Sequence, residues 1–137
     1  MRMNSLLGMI SGALLAGSLT TSAWAAGDLA ANVRELELRG QARDALLTIE
    51  DALKANPKDL DALGQHAAFL DHRGDSRATQ AYRELLAAAG PRSPQGQHAL
   101  RRLAVLALLA GDRAAAQQYL DAFHASGGTG LTLAPAA

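Results

Sequence analysis

Apolar residues between positions 26 and 125 recur every three or four residues, which is the period of a helix with one buried face. Leu29, Val33 and Leu36 predict a first helix, for which Asp28 is an N-cap candidate. Equivalent spacing predicts five further helices, whose apolar positions include Ala45/Ile49/Ala52, Leu60/Leu63/Ala67/Leu70, Ala78/Tyr82/Leu85, Leu100/Leu103/Ala107 and Tyr119/Ala122. No segment alternates with period two, so the sequence predicts an all-α fold.

Three glycines divide these helices into pairs. Gly40, Gly74 and Gly111 each follow one helical segment and precede another, and the spacings between them are 34 and 37 residues. Glycine accepts the left-handed conformation that ends a helix in a tight turn. We therefore expect six helices in three antiparallel hairpins. Further N-cap candidates precede the third to sixth helices: Asp59, Asp75, Ser93 (followed by Pro94) and Asp112.

A helix–Gly–helix–Pro unit with a 34-residue period resembles the tetratricopeptide repeat (TPR) family. The residues that match its pattern are Gly40, Ala45, Ile49, Ala52 and Pro57; Leu63, Ala67, Leu70, Gly74, Ala78, Tyr82 and Pro91; and Leu100, Ala104, Gly111, Ala115, Tyr119 and Ala122. The resemblance spans residues 26–125 and implies three hairpins stacked as a short right-handed solenoid. Two departures are the missing large aromatic residue in each first helix and a register shift after the second and third glycines.

In the family, the first helix of each hairpin lines a concave face that binds extended peptides or partner helices. Carried over by position, the resemblance implies nine partner-binding residues: Arg34, Glu37, Gln65, Asp71, His72, Arg101, Arg102, Val105 and Leu109. The adjacent Arg101 and Arg102 are suited to a partner's carboxylates, or else they keep an apolar helix solvated. The family's clamp for a terminal carboxylate uses Asn and Lys, where this chain has Ala30, Arg34 and Gln65, so that kind of receptor is not predicted.

The first 25 residues have the three parts of a secretory signal peptide. Arg2 precedes an apolar stretch from residue 6 to 19, and a polar patch leads to the small-x-small triplet at residues 23–25. Cleavage after Ala25 is predicted, which would make the protein periplasmic or secreted. The alternative is an uncleaved anchor, but a transmembrane helix needs about 20 apolar residues.

Composition narrows the functional classes. The chain has 13 Lys and Arg against 13 Asp and Glu, and removal of Arg2 leaves a slight negative excess. Nucleic-acid binding needs a positive surplus, so we expect no nucleic-acid partner. The absence of cysteine excludes disulfides and Cys-ligated zinc. With 4% aromatic residues and 31 alanines, the core is expected to consist of closely packed helices.

Catalytic signals are weak. His66 and His72 are six residues apart and do not share a helix face, and no phosphate loop, nucleophile elbow or His-Glu-x-x-His motif is present. We therefore predict no cofactor, no metal and no enzymatic activity. A small enzyme that uses His66, His72 and Asp71 is the least favoured hypothesis.

The C-terminal end raises a second hypothesis. Residues 126–137 are Gly-rich at first and are predicted to be a flexible tail. Leu120 and Phe123 are expected to stay partly open, unless residues 131–133 fold back over them or a second chain covers them. The favoured function is thus an exported, non-enzymatic adaptor that binds a protein or peptide in the cell envelope. The alternative is a structural subunit that self-associates through its C-terminal end.

Overall fold

The computed structural model describes residues 26–135, and the predicted signal peptide at residues 1–25 lies outside them. Six helices account for most of this part of the chain. They are α1 (Ala26–Leu38), α2 (Ala42–Ala55), α3 (Leu60–His72), α4 (Ala78–Ala89), α5 (Pro94–Leu109) and α6 (Arg113–Ala125). The described residues contain no strand. The prediction of an all-α chain of six helices is therefore confirmed.

Each helix packs against the next one along the chain, and α1 also contacts α3. This arrangement follows from the short connections, because helices joined by a few residues become neighbours. The fold is thus a sequence of adjacent helix pairs in which α3, α4 and α5 occupy the middle.

The same glycine turn ends the first helix of every pair. Gly40, Gly74 and Gly111 have φ angles of +75°, +64° and +78°, as predicted for left-handed turn residues. At the first turn, the amide of Gly40 donates to the carbonyl of Glu37, and the amide of Gln41 donates to the carbonyl of Leu36. This pair of bonds defines a Schellman motif, and it recurs at the other two glycines.

Three of the predicted N-caps are confirmed. The side chain of Asp59 accepts hydrogen bonds from the amides of Asp61 and Ala62, while Ser93 caps α5 and Asp112 caps α6. The prediction for Asp28 is wrong, since α1 already begins at Ala26. Asp28 therefore lies in the first turn, where its negative charge interacts favourably with the helix dipole.

Asp75 also differs from its prediction, because α4 begins three residues later, at Ala78. Its carboxylate accepts hydrogen bonds from the amide and the guanidinium of Arg77. These side-chain and backbone bonds lower the pKa of Asp75 to about 2. Asp75 thus organises the turn before α4 and does not cap the helix.

The core is made of alanine and larger aliphatic residues in alternation. Ala45, Ala62 and Ala67 are completely buried, as is Ile49, and the continuous core extends from Leu29 in α1 to α5. Alanine at a helix contact lets two backbones approach closely, and the larger side chains fill the remaining space. Five buried residues lie outside this continuous core, all of them on α5 and α6: Leu100, Ala104, Ala116, Leu120 and Phe123.

The expectation that Leu120 and Phe123 are partly open is wrong, since they are only 3% and 4% exposed. The reason for Phe123 is the chain that follows α6. Gly127 (φ +98°) forms a fourth Schellman turn, which lays Gly128 flat against the Phe123 ring. Farther along, the guanidinium of Arg113 donates to the carbonyl of Ala134. The described tail thus returns along α6 to the start of that helix.

Gly96 provides a test of close packing at the start of α5. A Cβ atom on this residue would lie 1.8 Å from the carbonyl oxygen of Gly90, which is backbone and has little room to move. We expect Gly96→Ala to lower the free energy of unfolding by about 1–3 kcal/mol in urea titrations. The matched control is Gly64→Ala in α3, where a Cβ meets nothing within 4 Å. This control should stabilise the protein by about 0.5–1 kcal/mol, and equal effects of the two changes would contradict the packing argument.

Gly128 tests the attachment of the tail. A Cβ atom there would lie 2.5 Å from three atoms of the Phe123 ring. Gly128→Ala is therefore expected to lift the tail and expose the ring, which a soluble paramagnetic probe would detect as faster relaxation of the Phe123 ring protons in NMR. The neighbouring exposed residue supplies the control, Thr129→Ala. An unchanged ring signal in the Gly128 variant would show that the tail does not cover Phe123.

Candidate binding groove and the polar cluster beside it

A shallow groove runs between α1 and α3, with a volume of about 270 Å³. Four of the nine predicted partner-binding residues line it: Arg34, Glu37, Gln65 and His72. The remaining lining residues are apolar and were not predicted as binding residues: Ala30, Val33, Ala68 and Phe69. Small residues at positions 30 and 68 of the two helices leave the space open. The groove thus combines an apolar lining with polar side chains.

An ion pair ties the two helices together beside the C-terminal ends of α1 and α3. The guanidinium of Arg73 lies 2.9 Å from a carboxylate oxygen of Glu37. The same guanidinium stacks over the Phe69 ring, 3.8 Å from its centroid. Arg73 was not among the predicted residues, because its position just after α3 shows its role only once α1 and α3 are placed side by side.

The charge of the groove is uneven. Glu37 is neutralised by Arg73, whereas Arg34 forms no ion pair within residues 26–135. Arg34 is also exposed, so its guanidinium is accessible to a ligand. An anionic group is therefore favoured at this side of the groove.

Two other predicted residues bind each other. The guanidinium of Arg102 donates to both carboxylate oxygens of Asp71, at 2.8 Å and 2.9 Å. The hydroxyl of Tyr82 donates to the same carboxylate at 2.9 Å, so one carboxylate links α3, α4 and α5. The interpretation of Arg102 as a ligand for a partner's carboxylate therefore changes, because its guanidinium already has an internal carboxylate.

The cluster shifts the pKa values of its members. Burial acts to raise the pKa of the Asp71 carboxyl, but the hydrogen bonds from Arg102 and Tyr82 outweigh it, and the pKa lies below its usual value. Burial and the bond to the Asp71 carboxylate raise the pKa of Tyr82. The edge of the Tyr82 ring also contacts His98, with 5.9 Å between the ring centroids. Tyr82 was expected to serve packing alone, and it also carries this polar link.

The last three predicted residues lie on the exposed side of α5. Val105 is 39% and Leu109 is 78% exposed, and the guanidinium of Arg101 lies 6.0 Å from the centroid of the Phe123 ring. Leu109 also lines a cavity of about 370 Å³ that Asp71 and Leu106 share. The nine residues are therefore divided among the groove, the polar cluster and α5.

The residues of the enzyme hypothesis do not converge. Asp71 is bound to Arg102 and Tyr82, His72 lines the groove, and the charged groups acting on His66 are those of α2, α4 and the α3–α4 turn. Burial lowers the pKa of His66, although the nearby carboxylates of Glu50 and Glu84 act in the opposite direction. Within the described part of the chain, no group of three His, Asp or Glu side chains is arranged to hold a metal ion.

None of the helices in residues 26–135 has both the length and the apolar character that crossing a membrane requires. Neither the known protein-family models nor the curated proteins include a match to this chain. The structure therefore establishes an all-helical domain of six packed helices, without a family assignment.

The Asp71 carboxylate is expected to contribute to stability in a pH-dependent way. Its pKa is lowered by folding, so the contribution is present above its unfolded value of 3.8 and is lost as the pH falls through the folded value. At pH 7, Asp71→Asn should lower the free energy of unfolding by roughly 1–2 kcal/mol, because Arg102 keeps some access to solvent. Urea titrations should show this difference shrinking at a pH well below 3.8.

Asp61→Asn is the matched control, since Asp61 is an exposed carboxylate on the same helix. It should have little effect at either pH. A difference between wild type and the Asp71 variant that persisted undiminished in acid would mean that the ionised carboxylate is not what the cluster depends on.

Proposed function

We propose that this protein is an exported, non-enzymatic adaptor with a TPR-like arrangement of helices, and that it binds a segment of a protein partner in the cell envelope. The α1–α3 groove is the binding site in this proposal. The observation that carries it is the gathering of Arg34, Glu37, Gln65 and His72 in one groove, since these residues were chosen from sequence positions before their placement.

The size and shape of the groove support a peptide rather than a small metabolite. A volume of about 270 Å³ is below the range of roughly 300–1,000 Å³ typical of small-molecule pockets. The groove is also open along its length and lined by two helices. An extended segment can place one apolar side chain against Val33 and Phe69 and leave its backbone accessible to Gln65.

The charge of the groove indicates which segments it prefers. Arg34 is exposed and has no acidic partner in the described residues, whereas Glu37 is already bound to Arg73. We therefore expect an acidic side chain in the bound segment beside its apolar one. The Asp71–Arg102 pair takes no part in this recognition and holds the supporting helices in place.

The test is photo-crosslinking in the native host, with a photoreactive amino acid in place of Gln65. An adduct with one defined protein, recovered from the periplasmic fraction, is the expected result. The same amino acid in place of Gln118, which is exposed on α6, should give no such adduct. Equal labelling from both positions would show that the groove is not the binding site.

Two alanine variants on α1 separate the groove from the rest of the surface. Ala30 lines the groove, while its neighbour Ala31 is exposed. Ala30→Arg fills the groove and should abolish the adduct, whereas Ala31→Arg should leave it intact. Arg34→Glu should weaken binding by about 10-fold or more, if a partner carboxylate is bound there.

A further inference from the structure

The exposed side of α5 carries an apolar surface. Val105, Leu108 and Leu109 are 39%, 41% and 78% exposed, and they are three of the six large apolar side chains exposed in the described part of the chain. Together with Arg101 they follow the i, i+4, i+7, i+8 spacing of a single helix face. We name these four residues the α5 stripe. Contiguous apolar residues on the surface are typical of association sites.

The charges at the two ends of the α5 stripe are opposite. Arg101 stands at one end and forms no ion pair within residues 26–135, in contrast to its neighbour Arg102, which binds Asp71. Asp112 stands at the other end, three residues beyond α5, and it is exposed. One of its carboxylate oxygens accepts the amide of Ala115, and the other retains its capacity to accept a hydrogen bond.

We propose that the α5 stripe is the contact surface of a homodimer, in which α5 of one copy packs antiparallel to α5 of a second copy about a twofold axis. The register that sets Arg101 opposite Asp112 of the second copy also sets Val105 opposite Leu108 of the second copy. The twofold axis repeats both pairs, as an isologous interface requires. One alignment thus satisfies the charges and the apolar residues together.

A second copy fits this pattern better than other occupants. The helix has no acidic residue between positions 94 and 109, so the negative charge that Arg101 needs comes from outside α5. The same chain supplies it in Asp112, at the distance along the helix that an antiparallel partner requires. A lipid surface would meet one cation and an exposed carboxylate side by side, which gives little net attraction.

The dimer is independent of the proposed peptide binding. The groove is built from α1 and α3, whereas the α5 stripe lies on the third helix pair. Loss of peptide binding therefore leaves the dimer intact, and loss of the dimer leaves the groove intact.

The first experiment measures mass as a function of concentration by sedimentation equilibrium of the purified protein. Wild type should rise to twice the monomer mass, and Leu108→Glu should raise the dimer dissociation constant by at least about 10-fold. The control is Leu47→Glu, which places the same charge at an isolated leucine on α2 that is 46% exposed. It should associate as wild type does, and circular dichroism should show both variants to be helical.

The ion pair is tested by a double-mutant cycle. Arg101→Gln and Asp112→Asn should each weaken the dimer, and the two together should weaken it by no more than either alone. Asparagine at position 112 keeps an oxygen that caps α6, so this change removes the charge without removing the cap. Fully additive effects would contradict the proposed pairing.

Cross-linking tests the register, because the chain has no cysteine of its own. A mixture of Val105→Cys and Leu108→Cys chains should form the mixed disulfide faster than either chain forms a disulfide with itself. Leu38→Cys, at an exposed position on α1, gives the collision background. A monomeric mass at every concentration, cross-linking no faster than this background, or lipid bound to the stripe in place of a second copy would each overturn the proposal.

Discussion

Close approach of helix backbones at buried alanines is the constraint on which the rest of this structure depends. Ala45, Ala62, Ala67, Ala99 and Ala116 have no exposed surface, and each lies where one helix meets another. Helices that approach so closely leave no room for bulky or polar side chains at the contact. Charged residues are therefore confined to the outside or to the edges of helix pairs, where Asp71 and Arg102 meet. The described residues include no fully buried polar or charged side chain.

The fold followed from the sequence because its signals are local. A glycine in a left-handed turn, a capping side chain and an apolar stripe each act within a few residues, and Gly40, Gly74 and Gly111 behave as their positions predict. The exceptions are informative. Asp28 missed its predicted role because helical structure extends two residues farther toward the N-terminus, and nothing in the local sequence prevents that extension.

The candidate site was less predictable because it depends on contacts between distant residues. Glu37 and Arg73 are 36 positions apart, as are Arg83 and Tyr119, whose side chains join α4 to α6 at 3.0 Å. Asp71 and Arg102 were both chosen as outward-facing residues, yet their separation of 31 positions brings them into a mutual bond. Sequence spacing identifies the face of a helix on which a residue lies. It does not identify the partner that a neighbouring helix presents to that face.

The Schellman turn at Gly127 has a consequence for how such a chain grows. It repeats the turn that follows α1, α3 and α5, yet the residues after it continue as an extended segment instead of a helix. The direction of the chain is thus already set for another helix, and only the composition of residues 128–135 prevents one. A duplication that inserted helical sequence after Gly127 would lengthen the array by a further unit without altering any earlier residue. The boundary of the domain is in this sense chemical rather than geometric.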